Sequence, residues 1–565
     1  MVTKPSSTTH SDVSDSSAST ESLVTTETEA ETADASVRNT RRSCNCFPPG
    51  KTSFWRQFFY LSTLTISIGY DQQVMSLALP QLAQTFGVTS SQAQWIISIF
   101  YIANAATSVL HGHLGMYFGP SRYSLVMSVL KLLTYIASVF VPNLGWIFFI
   151  RAITGVGASG CVASKNSLMK TLSPPEKLHK YLMYNIIQFN VFAIFIPVVG
   201  GFITSFFGWK SIFLVCAVLE ALNVIALAMI PNPVRNKTHF RMDYGGTILL
   251  TLDVTAFCLA FSFFAQLEYL LSSLLFIITI VLTIGFYFLE RRLTYPILPF
   301  QALRNPVGAY YIAYILQNVL LAGITILMPF IYTHRYHMTG SGIGIINGLS
   351  ALVRTFVAAI TPLLDKKCVR RFLIGYGFVI SSIFCIVSAL AMDTNAWVVV
   401  TMQVLITMFQ CVPATLLFPM AVTGNPKYSS LMSGLPTMCR TMGSSVGDSL
   451  FTAIQTFILL TDYGAAFGVT DADPYYVKAY VRGCSISFWI LGLLSAFTGI
   501  YSILRVRNTP VERGKCGFKE SQVPPSWDEL EAFVRKAVKE KSIDDALEKN
   551  NVEDETEEER KEPSG

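Results

Sequence analysis

From residue 58 onward the chain alternates long apolar runs with short polar breaks. Each run is about 20 residues long, the length an α-helix needs to cross a bilayer. The runs fall at 58–79, 95–114, 123–141, 146–168, 181–206, 211–230, 245–265, 269–289, 307–331, 342–364, 372–392, 396–422, 437–461 and 483–504, which predicts fourteen membrane-spanning helices. A short link at Gln266 to Glu268 separates two of the runs, and a long helix begins near Thr437. The predicted class is an all-α polytopic membrane protein.

Composition agrees. With 52% hydrophobic residues and mean hydropathy of +0.46 over 565 residues, the chain is too apolar for a soluble enzyme. The net charge is +6, yet both tails are acidic, so the basic excess lies in the membrane part. It gathers in alternate loops. With the N-terminus inside, the inner loops collect Arg291, Arg292 and Arg304 in one case and Lys366, Lys367, Arg370 and Arg371 in another. The outer loops hold only Lys210, Arg335, Lys478 and Arg482. This asymmetry predicts that both termini are cytosolic, and it accounts for the charge without nucleic acid.

Residues 1–50 are rich in Ser, Thr and Glu and carry no signal peptide pattern, so a disordered cytosolic tail is expected. Residues 508–565 form a charged cytosolic tail in which Trp527, Leu530, Phe533, Val534, Ala537 and Val538 are spaced as one amphipathic helix. The 11 cysteines are scattered, which predicts free thiols and neither a disulfide framework nor a metal site. Only Cys44 and Cys46 fall together, beside Arg41 and Arg42. That placement suits S-acylation or an inert pair.

The residue that changes the picture is Asp71, the one ionisable group in the first run. A carboxylate in hydrocarbon costs several kcal/mol unless a partner or a wet cavity receives it, which makes it a functional candidate. Arg151 is a second such group, in the fourth run. Counted at 1.5 Å per residue, the two share a depth. Either they pair, directly or through water, or Arg151 snorkels outward and Asp71 bonds a local hydroxyl.

Several strings resemble the major facilitator superfamily, and within it the fourteen-span drug:proton antiporter family of fungi and bacteria. In run 1 the resemblance rests on Asp71, Val74, Ala78, Leu79 and Pro80. Trp95 and Tyr101 follow, and then the loop Gly112, Leu114, Gly115, Gly119 and Arg122, where Met116 replaces the family's acid. Run 4 resembles the family through Arg151, Gly155 and Gly157, with Thr154 where Gln is usual. Its small residues should let another helix approach closely. Run 5 resembles the antiporter motif in Pro197, Gly200 and Gly201, with Phe192 and Ile196 in place of glycines. In the family such glycines let helix 5 lie against the opposite half. Run 13 resembles the family in Arg440, Gly443 and Gly447.

The resemblance implies the major facilitator fold: two six-helix bundles at 51–232 and 293–507, with two additional helices and their loops at 233–292. Asp365 then stands where the first half lost its acid, either as a gate residue or within an ordinary basic loop. Asp448 is a second candidate proton site beside Asp71 and Arg151, with Arg354 as its candidate partner. Asn318, Gln317, Gln403 and Gln410 either line the substrate cavity or join helices, while Glu220 and Asp253 are expected in structural pairs.

No G-x-x-x-x-G-K-[ST] loop and no hydrolytic constellation is visible, so no enzyme activity and no cofactor beyond a proton gradient is expected. The expected function is a proton-coupled exporter of small toxic or drug-like solutes working by alternating access. A proton-coupled importer, a vacuolar amino acid carrier and a non-transporting sensor are the alternatives. Its expected partners are the solute, protons and the lipid bilayer. A monomer in the plasma membrane is favoured over a vacuolar location.

Overall fold

A computed structural model describes residues 52–87, 90–172, 175–229, 243–292, 297–298, 303, 307–338, 340–423, 434–463 and 474–506. The predicted tail features, including Cys44, Cys46 and the amphipathic segment after Trp527, lie outside the described residues. Residues Phe59–Gly565 form one compact unit, and of Met1–Phe58 only the start of the first helix is described.

The described residues form fourteen long helices: α1 (Thr52–Phe86), α2 (Ser90–Phe118), α3 (Pro120–Val139), α4 (Leu144–Leu172), α5 (Pro175–Phe207), α6 (Lys210–Ala228), α7 (Tyr244–Ala265), α8 (Tyr269–Arg292), α9 (Val307–His334), α10 (Gly340–Lys367), α11 (Arg370–Leu390), α12 (Ala396–Thr423), α13 (Leu435–Tyr463) and α14 (Pro474–Arg505). Twelve are long and apolar enough to cross a membrane; α1 and α13 are the exceptions. Those two carry Asp71 and Asp448, and α13 is rich in Ser and Thr, so their polar content marks helices that face protein more than lipid.

The helices outrun the predicted spans. α1 continues through Pro80 to Phe86, and α14 begins at Pro474, so Lys478 and Arg482 sit on its first turns and not in a loop. Hydropathy marks only the lipid-embedded part of a helix, and backbone hydrogen bonding carries the helix beyond it. The narrow break at Gln266 is real: the chain reverses there with Leu267 at φ 63°. Gly119, at φ 90°, starts α3 ahead of Pro120, a left-handed backbone that a side chain would strain.

Burial follows a membrane logic. On α3 the buried face is Ser121, Ser124, Ser128, Lys131, Thr134 and Ser138, while Val126, Val129, Leu133 and Ile136 are exposed. With lipid as apolar as leucine, helix association rests on close packing and interhelical hydrogen bonds, so small polar side chains turn inward. α11 and α14 repeat the device. Ser495 donates to the Phe378 carbonyl at 2.9 Å, and Gly499 lies against the Gly375 carbonyl.

The packing pairs repeat across the chain. α2 packs on α4, and α3 on α4 and α6; in the second set α10 packs on α12, and α11 on α12 and α14. α1 meets α5 where Gly69 faces Phe189 and Ile196, as α9 meets α13. The two six-helix bundles join along two seams, α2 with α13 and α5 with α10. α7 and α8 form a hairpin whose α7 rests on α2 and α13. α8 is the least buried span, 17% against 67% for α4, as expected of a peripheral addition.

One expectation needs correction. Gly200 does not serve the seam between the bundles: it faces Val74 on α1, and a Cβ at Gly201 would meet no atom within 4 Å. The glycines that open the α5 seam are on the partner helix. A Cβ at Gly348 would stand 3.3 Å from the Ile194 carbonyl, and one at Gly344 3.6 Å from that of Pro197. Pro197, inside α5, cannot donate to the preceding turn.

Candidate functional site

The α4 glycines bring three helices together. A Cβ at Gly155 would stand 2.5 Å from the Phe100 carbonyl of α2, and one at Gly157 would stand 2.7 Å from Lys131 Cγ of α3. This proximity sets Arg151 between α1 and α2. Its Nη1 donates to Asp71 Oδ1 at 2.7 Å, its Nε donates to the Ile96 carbonyl at 3.3 Å, and its guanidinium lies 4.6 Å from the Phe100 ring centre. Both side chains are almost fully buried, 2% and 1% exposed. The alternative in which Arg151 snorkels and Asp71 bonds a hydroxyl is therefore not the arrangement adopted.

Asp71 is incompletely served, since its Oδ2 is buried with no hydrogen-bond partner among the described residues. A second buried pair, Lys131 to Glu220 at 2.7 Å, differs in that respect. Glu220 Oε2 also accepts from Ser67 at 2.5 Å, and Oε1 accepts from Asn223 at 3.1 Å, whose Nδ2 reaches Ser128 as well. With both oxygens occupied, Glu220 ties α1, α3 and α6 together, as its expected structural role requires. Asp253 is likewise local, accepting from Thr283 of α8 at 3.0 and 3.1 Å.

Across the α2/α13 seam, Gly443 and Gly447 set α13 against the Ile315 and Val319 carbonyls of α9. Arg440 and Asp448 then lie two turns apart on α13. Asp448 is half-buried and forms no ion pair among the described residues. The expected bond from Arg354 to Asp448 is absent there. α10 lies against α5 and α12, whereas α13 lies against α2, α7, α9 and α14. Arg354 instead meets α12, its backbone carbonyl accepting from Cys411 Sγ at 3.3 Å, while its Nε is buried without an acceptor among the described residues.

The predicted cavity residues divide. Gln317 of α9 donates to the Gln410 carbonyl at 3.4 Å, and the side-chain amide atoms of Gln410 are buried without partners among the described residues. Gln403 is engaged elsewhere, accepting from Tyr332 and donating to Asn347 at 3.3 Å, and Asn318 donates to its own helix at Tyr314. Gln403 joins helices.

The loop residues also separate. Gly112 and Gly115 are buried between α2 and α4, where a Cβ at Gly115 would sit 3.2 Å from Ser164 Oγ, and Arg122 is exposed. In the second half Asp365 holds Arg370 through two bonds of 2.5 and 2.9 Å, fixing the turn from α10 to α11. At the end of the bundle where α1 begins, Met169 of α4 and Leu182 of α5 pack on Val422 of α12, closing one bundle against the other.

Two buried lysines were missed in the sequence, Lys131 and Lys165, although both stand inside predicted spans. The signal was the one that identified Asp71, a charge within an apolar run. Lys165 donates to Asn185 Oδ1 at 2.9 Å. Among the described residues no cluster of His, Cys, Asp and Glu could hold a metal, and the cysteines are free thiols.

The family model of the Major Facilitator Superfamily matches residues 61–447. Multidrug export protein EmrB of Haemophilus influenzae is 24% identical over 69% of this chain and 78% of its own length. Riboflavin transporter RibZ of Clostridioides difficile is 21% identical over 80% of this chain and 96% of its own. Among solved structures, a D-xylose-proton symporter superposes with a TM-score of 0.56 at 13% identity, covering 81% of this chain and 99% of that one.

Proposed function

The chain belongs to the major facilitator superfamily, and on that premise we propose that it is a proton-coupled secondary transporter of the fourteen-span drug:proton antiporter type, exporting small toxic or drug-like solutes. The observation that carries the reading is the Asp71 to Arg151 pair, buried where lipid forbids an idle charge, with one carboxylate oxygen left open. The exporter name of the EmrB relative supports the direction.

The cycle follows from electrostatics. When the bundles open toward Asp71, water and a proton reach Oδ2, and neutralising the carboxyl weakens its hold on Arg151. When they close on that side, loss of the proton restores the pair. The pair is thus stronger in one state than in the other, which is what a proton needs in order to bias the rocking of two bundles. The closed contact of Met169 and Leu182 with Val422 is the counterpart gate at the other end. Asp448, half-buried and without an ion pair, is the second proton site in this scheme. Both termini are assigned to the cytosol and the protein to the plasma membrane.

Import is the second reading, favoured by the bulky Phe192 and buried Ile196 at the α5 positions where the exporter pattern has glycine. Inside-out and right-side-out vesicles separate the two. A proton gradient should drive solute out of right-side-out vesicles for the exporter and into them for the importer. Solute movement that ignores every proton gradient would refute both.

A further inference from the structure

Two acids stand together at the foot of the α7/α8 hairpin, just outside the apolar runs 245–265 and 269–289. Asp243 caps α7: its Oδ1 accepts from the Gly246 amide at 2.8 Å, and its carbonyl accepts from the Thr247 hydroxyl. Glu290, on the last turn of α8, is 3% exposed. Its Oε1 accepts from two backbone amides of the link to α9, Ile297 at 3.1 Å and Leu298 at 3.2 Å. The two carboxylates flank Gly246. A Cβ there would strike Asp243 Oδ2 and stand 3.2 Å from Glu290 Oε1, so little more than the space of an absent methyl group parts them. The remaining Glu290 oxygen, Oε2, and Asp243 Oδ2 are both buried with no hydrogen-bond partner among the described residues.

Among the described residues neither acid forms an ion pair. Arg291 and Arg292, next to Glu290, are exposed, and Arg291 donates to the Tyr287 hydroxyl at 3.3 Å. α7 adds the exposed Tyr244 and, about three turns on, Asp253, which is bonded to Thr283. α13, packed on α7, adds Arg440 and Asp448. α2 adds His111, bonded to Ser159 of α4, and His113. His113 stands level with the start of α7, because Thr251 donates to the Ala106 carbonyl at 3.3 Å and the two helices run antiparallel. Arg241 and Arg304 of the flanking loops lie outside the described residues. Two ionised carboxylates this close repel, and each leaves an acceptor without a donor. One proton removes both faults: it cancels a charge and lets one oxygen donate to the other, directly or through a water.

We propose that Asp243 and Glu290 share one proton and form a pH-sensitive clamp on the link between the added hairpin and the second bundle. The site is separate from Asp71 and independent of what is transported and in which direction. With the proton in place, Glu290 stays on Ile297 and Leu298, which are buried in one core with Val307 and Tyr310 of α9. Without it, two negative charges adjoin and one of them leaves. Asp243 is held at the positive end of α7 by the Gly246 amide, so Glu290 is displaced and the two link amides are released. α7 rests on α2 of the first bundle and α13 of the second, so the clamp fastens the start of the second bundle to a helix that touches both. A rise in pH at that end, cytosolic in the reading above, loosens the joint.

The test follows amide hydrogen exchange of the peptide holding Ile297 and Leu298, in the full chain in detergent, from pH about 5 to about 8 and corrected for the intrinsic pH dependence of exchange. Protection should fall as pH rises, by up to about tenfold per pH unit, the limit for release of one proton. Glu290→Gln puts an amide where the protonated acid has its O–H and keeps an oxygen for the two link amides, so its protection should hold at every pH. Asp243→Asn keeps the cap and should be equally flat. His113→Gln, Arg241→Gln and Arg304→Gln should keep the wild-type slope. Thermal unfolding is the second reading. The native pair holds a proton that the unfolded chain releases, so its stabilisation is present at low pH and lost as pH rises. The melting temperature of the wild type should therefore fall across this range relative to that of Glu290→Gln. Wild-type protection that is flat or rises with pH overturns the proposal, as does lost protection at low pH in folded Glu290→Gln. Loss of the slope in His113→Gln or either arginine variant assigns the titration to another pair and overturns it too. So does recovery of protection at high pH on adding calcium or magnesium, which would make the pair a cation site.

Discussion

Arg151 Nη1 lies 2.7 Å from Asp71 Oδ1, while the second oxygen of the same carboxylate is buried and accepts no hydrogen bond among the described residues. A structural ion pair in hydrocarbon would be expected to satisfy both oxygens, as Lys131, Ser67 and Asn223 do for Glu220. The proposed proton-exchange role of Asp71 rests on that difference, while Glu220, served at both oxygens, ties helices together.

Asp71→Asn keeps the size and one acceptor for Arg151, so the protein should fold while proton-driven transport falls to background in vesicles. Arg151→Ala should instead destabilise by about 3–5 kcal/mol, because it leaves a buried carboxylate without its cation. Thermal unfolding in detergent distinguishes the two, and combining the substitutions should recover much of the lost stability. Undiminished coupling in folded Asp71→Asn would remove the assigned role.

Lys131 and Glu220 carry the opposite expectation. Lys131→Met leaves the Glu220 carboxylate buried without its cation and should cost about 3–5 kcal/mol, Glu220→Gln should cost less because its amide oxygen still accepts from Lys131, and the double variant should be close to wild type in stability. Solute transport per folded molecule should be unchanged in the double variant. A lost proton dependence there would place the pair in the coupling machinery.

Gly155→Ala directs a methyl group at the Phe100 carbonyl, a backbone atom that cannot swing aside, and should cost roughly 1–3 kcal/mol and reduce the yield of monodisperse protein. Gly201→Ala meets no neighbour within 4 Å and should be neutral. Fluorescence-detected size exclusion on the two variants side by side checks the contrast.

Met169→Cys with Val422→Cys, in a background where the exposed Cys368 is serine, places two thiols across the gate between the bundles. Oxidation should halt transport and reduction restore it. Full activity after demonstrated crosslinking would mean that this contact does not need to open.

The sequence by itself determined the number of helices, the membrane class and the chief ionisable candidates. Lipid imposes length and apolarity on every span, and a lone Asp71 or Arg151 stands out against that background. Even so, hydropathy could not fix where α1 or α14 stops, because hydrogen bonding continues a helix past the hydrocarbon. Lys131 and Lys165 were legible by the same criterion as Asp71, but their partners were not.

Only the tertiary structure decided the pairings. Asp71 finds Arg151 eighty positions away, Glu220 finds Lys131, and Arg354 fails to find Asp448. The reason is that a charge on a helix reports its height and its face, while its partner depends on which helices become neighbours. That is set by where Gly155, Gly157, Gly344 and Gly443 let one backbone approach another. A composition rule counts small residues along one helix, and only the packed bundle shows which helix each of them admits.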